Sequence, residues 1–326
     1  MGFVSAEDVR RVGIVGAGLI GFSWAHVFSR CGLEVRLFDP DAEALQRAES
    51  RLRAAFDLFV RERLMTADGA KESMGRVHFC QQMTDAVREA DYVQECVPED
   101  LELKRRVLAE IDSLAGTDSL IASSAAQLPI SDISSAMLHP ERCALAHPTN
   151  PPHLLPLVEV AAGRLTDPEV LQNLRSFMER VGQKPITVRK EVYGYVLNRI
   201  QYALVREAFH LLREGVATVG DIDRCVTEGL GLRWAFTGPF MVEELNAQDI
   251  EDGLRKDVDE NEELWAALGD FHRTEETDIR RAAEGVRELL GVRSHDSVVQ
   301  WRDEMVVRLL RLKQQGSSSR EGGEPV

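Results

Sequence analysis

The chain has 326 residues, 44% of them hydrophobic, and carries 39 Lys and Arg against 54 Asp and Glu, a net charge of −15. So acidic a chain excludes a dedicated binder of nucleic acid or of anionic membranes, both of which need basic surface. A small anion can still be held where the charge is locally positive, and the length suits two domains that need no disulfide or metal staple.

In chain order, Val12-Gly-Ile-Val15 is a short apolar run that opens into a glycine-rich turn. Residues 19–30 follow with Ile20, Trp24, Val27 and Phe28 at helical spacing. Glu34–Asp39 alternates like a strand, and a long helical pair is expected over 41–75. Short strand patterns recur at Val77–Cys80, Tyr92–Val97, Leu120–Ala122 and Cys143–Ala146, with helical stretches at 84–90 and 101–115 between them. Alternating strands and helices predict βαβ units and a parallel sheet. Ile186–Val188 is the last strand signal, and from Val196 onward every pattern is helical, with Thr218 and Asp221 as a capping pair. The expected architecture is therefore α/β: a Rossmann-type doubly wound sheet over 1–190 and an all-helical domain over 191–313. The Gly/Ser-rich remainder, 314–326, is expected to be a disordered tail.

Cys31, Cys80, Cys96, Cys143 and Cys225 form no CxxC pair, which points to free thiols in a cytoplasmic setting. No apolar run approaches the ~18 residues of a membrane span, the first residues lack an apolar signal core, and no metal site is expected.

Gly16-Ala-Gly18-Leu-Ile-Gly21 is a G-x-G-x-x-G between a strand and a helix. Its glycines permit a tight turn, close approach of backbone to a pyrophosphate, and close packing of helix on strand, while the helix start offers free amides to the phosphates. Leu19 and Ile20 belong to the same cofactor-binding turn. Asp39, eighteen residues after Gly21, is placed to accept from the ribose hydroxyls. It would repel a 2′-phosphate, and Pro40-Asp41 offers no Arg to hold one, so NAD is favoured over NADP.

His147-Pro-Thr-Asn-Pro-Pro followed by Leu157-Val-Glu159 is the second constellation. Oxidising a secondary alcohol needs a base for the hydroxyl proton, and an imidazole titrates near neutrality. Glu159 is the carboxylate that would orient it. With the glycine turn, these segments resemble the 3-hydroxyacyl-CoA dehydrogenase superfamily, and the chain to about residue 313 is most similar to its λ-crystallin / L-gulonate 3-dehydrogenase branch. GYVLNRIQYALVREAFHLLREG (194–215), GLGLRWAFTGPF (229–240) and QWRDEMVVRLLRLKQQ (300–315) carry the resemblance through the second half.

The resemblance implies NAD as cofactor, a His147–Glu159 pair, and an Asn198 amide donating to the substrate oxygen. It implies cofactor contacts near Val97, from Glu99 on the nicotinamide side and from Lys104 near ribose or substrate. Read alone, Glu99 and Lys104 fit a solvated helix start equally well. Ala126 departs from the pattern, because the family has a serine there that bonds the substrate oxygen. Three readings stay open: an engineered Ser→Ala change, a natural site that uses Ser124 or a water, or an NAD-binding protein of crystallin type with little turnover. Ser124 and Ala126 are kept as substrate-pocket positions.

Arg233 suits a free carboxylate, with Trp234 beside it, although a salt-bridge role for Arg233 remains open. The expected reaction is oxidation of the 3-hydroxyl of a small, L-gulonate-like hydroxy acid. Carnitine or another betaine is an alternative, with Trp234 and Phe236 as part of an aromatic cage, and a 3-hydroxyacyl-CoA is a third. The expected assembly is a homodimer. Ten Asp and Glu fall between Glu243 and Glu263, away from these elements, so the net charge does not oppose an acidic substrate.

Overall fold

In the computed structural model, which describes residues 2–246 and 250–318, the apolar runs form eight strands. They are β1 (Arg11–Val15), β2 (Glu34–Phe38), β3 (Val77–Cys80), β4 (Tyr92–Glu95), β5 (Leu120–Ser123), β6 (Cys143–Pro148), β7 (Leu157–Ala162) and β8 (Lys184–Val188). The sheet order is β3-β2-β1-β4-β5-β6-β7-β8. Every neighbouring pair is parallel except β6 and β7. Strand order reverses between β1 and β4, which makes the crevice beyond their carboxyl ends the place where such sheets bind ligands.

Helices α1 (Leu19–Arg30), α2 (Ala42–Arg61), α3 (Ala67–Gly75), α4 (Met83–Val87), α5 (Leu101–Leu114), α6 (Ile130–Ile133) and α7 (Pro168–Arg180) connect the strands. Their starts are written in the sequence. Asp41, Thr66, Asp100 and Asp167 each accept an amide of the following turn, a cap worth about 1 kcal/mol, and Pro168 takes the first helical position, where no amide is needed. Strands buried on both faces read as continuous apolar runs. One core layer gathers Trp24, Phe28, Tyr92 and Phe177, and another Val93, Leu108, Ile111 and Leu145.

The chain divides into two units: Met1–Arg199 with Asp303–Arg308, and Ile200–Arg302 with Leu309–Val326. The first unit thus extends past residue 190. Tyr195 is fully buried in its core, and Val307 packs with Leu58, Phe59 and Leu154. The remaining helices are α8 (Leu197–Arg213), α9 (Val219–Cys225), α10 (Gly231–Trp234), α11 (Pro239–Asn246), α12 (Ile250–Ala267), α13 (Glu276–Leu290) and α14 (His295–Ser318). Thr218 caps α9 as its spacing predicts. Within the second unit Arg213 donates twice to Asp278 Oδ2, at 2.9 and 2.6 Å, and lies over the Phe271 ring. The last helix runs through Ser318, so residues 314–318 are helical rather than tail. Residues 319–326, and part of the acidic Glu243–Glu263 stretch, lie outside the described residues. No described helix is long and apolar enough to cross a membrane.

Candidate active site

The site residues of the first unit gather at the carboxyl ends of β1, β4, β5 and β6. Gly16, just past β1, has φ +107, and a Cβ there would meet the Cys96 carbonyl at 2.7 Å. A Cβ on Gly21 would fall 1.8 Å from the Gly16 carbonyl oxygen. The fold itself demands those two glycines. Gly18 differs, because a Cβ there meets nothing within 4 Å. The fold itself does not require a glycine there, and the open space beside its backbone would admit an external group. Leu19 is exposed and Ile20 half-buried beside it, and no acidic residue occupies the first turn of α1, so the positive end of the helix is left for an anion. Asp39 accepts from Ala17 N at 2.8 Å and Asp41 N at 3.0 Å. Each oxygen retains lone-pair capacity for a hydroxyl. The turn fits a dinucleotide.

Beyond β4 the structure corrects one expectation. Lys104 is 1% exposed, and its Nζ lies 2.9 and 3.1 Å from the two Glu95 oxygens and 3.0 Å from the Val97 carbonyl. The ammonium is committed inside the protein rather than offered to a cofactor. Glu95, itself 0% exposed, also accepts from Val97 N at 2.6 Å and from the Ser123 hydroxyl. Ser123 is its register partner on β5. Glu99 Oε1 accepts three successive amides, Ala126 at 3.1, Gln127 at 2.8 and Leu128 at 3.0 Å. It holds the loop after β5.

On β6 and β7 the antiparallel register sets His147 directly opposite Glu159. Side chains opposite one another share a face, and His147 Nδ1 lies 2.7 Å from Glu159 Oε2. A carboxylate only accepts, so Nδ1 carries the proton and Nε2 of the neutral ring holds the free lone pair. Glu159 Oε1 accepts from Val196 N at 2.8 Å and Leu197 N at 2.9 Å. Burial pushes this carboxyl up, but the donors from His147, Leu197 and Val196 outweigh it and hold it below the ordinary range. Asn198 Nδ2 donates to the Ala126 carbonyl at 2.8 Å. Ala126 is thus pinned at its amide by Glu99 and at its carbonyl by Asn198.

Ser124 is tied into the interior. Its Oγ receives Gln94 Nε2 at 2.8 Å and Trp24 Nε1 at 3.3 Å, with Cys96 Sγ at 3.4 Å. Two donors fill its lone pairs, so the hydroxyl can act only as a donor. His153, in the turn between β6 and β7, is buried. Its Nδ1 lies 2.5 Å from Ser23 Oγ on α1, and its amide donates to the same oxygen at 3.0 Å. Arg233 and Trp234 lie on α10 in the second unit, and both are exposed. They follow a π-turn over Val226–Leu230, where a Cβ on Gly231 would strike the Val226 carbonyl oxygen at 2.7 Å.

The NAD-binding domain model of 3-hydroxyacyl-CoA dehydrogenase matches residues 11–192, and the C-terminal domain model matches residues 194–268. The chain belongs to the 3-hydroxyacyl-CoA dehydrogenase family. It is an NAD-dependent dehydrogenase. It is 36% identical over 312 residues to the lambda-crystallin homolog of Homo sapiens, covering 93% of this chain and 96% of that one. It is 42% identical over 235 residues to the L-carnitine dehydrogenase of Streptomyces griseus, covering 72% and 69%. Among solved structures, 5-formyl-3-hydroxy-2-methylpyridine 4-carboxylic acid 5-dehydrogenase, an NAD+-dependent dismutase, superposes with a TM-score of 0.78 at 30% identity, covering 94% and 98%.

Glu95, Ser123, Gln94 and Tyr195 belong to the site's framework, and no motif in the sequence marks them. A signal existed for two of them. Gln94 and Glu95 are consecutive polar residues in a central parallel strand, where both faces are buried and every polar group needs a partner.

Proposed function

We propose that the protein oxidises the 3-hydroxyl of a small, L-gulonate-like hydroxy carboxylic acid to the 3-keto acid, with His147 as general base. The buried His147–Glu159 pair carries this reading. Nε2 takes the hydroxyl proton. Glu159 holds the opposite edge of the ring and stabilises the imidazolium as it forms. The Asn198 amide, anchored on Ala126, stands at the start of α8 as the donor toward the substrate oxygen. Gly16, Gly18, Leu19, Ile20, Gly21, Asp39, Val97 and Glu99 are the residues for the dinucleotide, and when bound NAD supplies the hydride acceptor. Arg233 and Trp234 enter on their chemistry alone, a guanidinium for a free carboxylate and an aromatic face beside it.

The 42% identity to an L-carnitine dehydrogenase favours a second reading within the same chemistry, a 3-hydroxy acid bearing a quaternary ammonium. NADH formation from L-gulonate, carnitine, 3-hydroxybutyrate and 3-hydroxybutyryl-CoA tests both. One of the free acids is expected to turn over best, and His147→Gln is expected to lower kcat by about 10²–10⁴-fold with NADH affinity kept. Turnover of the thioester alone, or a His147→Gln enzyme within twofold of wild type, overturns the proposal.

A cytoplasmic homodimer completes it. Five cysteines free of disulfides and exposed Ile200, Tyr202, Phe236 and Phe240 support this part. A monomer mass at micromolar concentration would refute the dimer.

A further inference from the structure

We infer that Tyr195 is a positioning residue for the His147–Glu159 pair, its left-handed backbone aiming two amides at Glu159. Only Arg63 and Tyr195 have positive φ among described non-glycine residues, and Tyr195, at +47, directly follows Gly194 at +79. A bulky residue in this region is sterically strained and persists where its surroundings over-determine it.

The surroundings of Tyr195 do so. The phenol donates to the Leu128 carbonyl at 2.7 Å, Gly194 N donates to the Gln127 carbonyl at 3.1 Å, and Tyr195 N donates to the Val192 carbonyl at 3.0 Å. Glu191, at the start of the segment, accepts from Ser131 N at 2.8 Å. The chain is pinned along 191–195 and then turns. The next two amides, Val196 and Leu197, converge on one oxygen of Glu159. Successive amides after a left-handed residue form a concave nest for an anion, here filled by the protein's own carboxylate. The other oxygen of that carboxylate holds His147. The Tyr195 ring neighbours the same imidazole, tilted 35° to it with 6.4 Å between centroids.

The titratable groups around the nest are Glu159, His147, the phenol itself, Glu191 and Glu99. Burial first, then the carboxylates of Glu191, Glu99 and Glu159, keep the phenol protonated far above the physiological range. The consequence runs through charge. Two amide donors draw off part of the negative charge of Glu159, so it holds an imidazolium less tightly than a bare carboxylate would. Opening the turn removes them.

The backbone role and a packing role give opposite rankings of variants. Valine is β-branched and does not hold a positive φ, whereas glycine does. The test is an NMR titration of the His147 ring, assigned with His147→Gln, in wild type and in Tyr195→Val, Tyr195→Gly and Tyr195→Phe. Tyr195→Val is expected to raise the ring's titration midpoint relative to wild type. Tyr195→Gly, although it removes the whole side chain, is expected to stay close to wild type, as is Tyr195→Phe. If Tyr195→Val does not fold, Tyr195→Ala against Tyr195→Asn repeats the comparison, since Asn tolerates the left-handed region and Ala does not.

A larger shift in Tyr195→Gly than in Tyr195→Val, or no shift in any variant, overturns the inference. The catalytic meaning of the shift rests on the proposal that His147 is the base, but the titration needs no substrate. A shift without NADH formation from any hydroxy acid would therefore sink that proposal and leave the positioning role standing.

Discussion

Replacing Lys104 by Met separates a structural from a cofactor-binding lysine. The change keeps the side chain's volume and apolar stem, so it adds no cavity. It leaves Glu95, 0% exposed, without the ammonium that lies 2.9 and 3.1 Å from its two oxygens. Removing one partner of a buried pair costs about 3–5 kcal/mol. Two donors remain to Glu95, the Val97 amide and the Ser123 hydroxyl, which puts the loss near the lower end, about 3 kcal/mol. Adding Glu95→Gln removes the orphaned charge, so the double variant should recover most of that loss. Urea unfolding of the wild type, both single variants and the double closes the cycle. NADH titration of the folded variants accompanies it. A Lys104→Met protein that unfolds like wild type yet binds NADH tenfold more weakly would refute the reasoning and return the lysine to the cofactor.

The Glu159 carboxyl is held below its ordinary range of about 4.3, so it contributes stability above that value and loses it as pH falls through the lowered one. The stability gap between wild type and Glu159→Gln, measured by denaturant unfolding, should be widest near neutrality and narrow in acid. Ala126→Ser should raise kcat on the order of 10²-fold if a substrate-oxygen donor is what the position lacks; steady-state kinetics on the best free acid checks this. Burial pushes the Cys96 thiol to about 12 and the Cys143 thiol higher still, while Cys225 is exposed. Timed alkylation with mass-spectrometric mapping should find Cys225 modified in the folded protein and Cys96 and Cys143 untouched.

The strands, the glycine turn and the helix caps were legible because each has a local cause: apolar runs, a backbone that tolerates no Cβ, an Asp or Thr ahead of an amide. The His147–Glu159 pair could be suspected by chemistry and resemblance. Its spacing of twelve residues made sense only once the antiparallel register was known. The role of Lys104 is hidden because sequence shows a lysine near a helix start and not the Glu95 beneath it, nine residues earlier on another element. The partners of Ser124 were equally out of view, since they come from α1 and β4. Tyr195 was invisible, because a positive φ at an aromatic residue has no compositional mark.

The antiparallel step from β6 to β7 also decides how this enzyme can change. His147 and Glu159 meet through strand pairing, and the intervening connection, 149–156, leaves and re-enters the sheet beyond them. Substitutions at its solvent-facing positions, such as Asn150, leave the pair in place, whereas the buried His153 and Leu154 tie its length to the core. A single residue inserted within β6 ahead of His147 would instead turn the imidazole to the opposite face of the sheet.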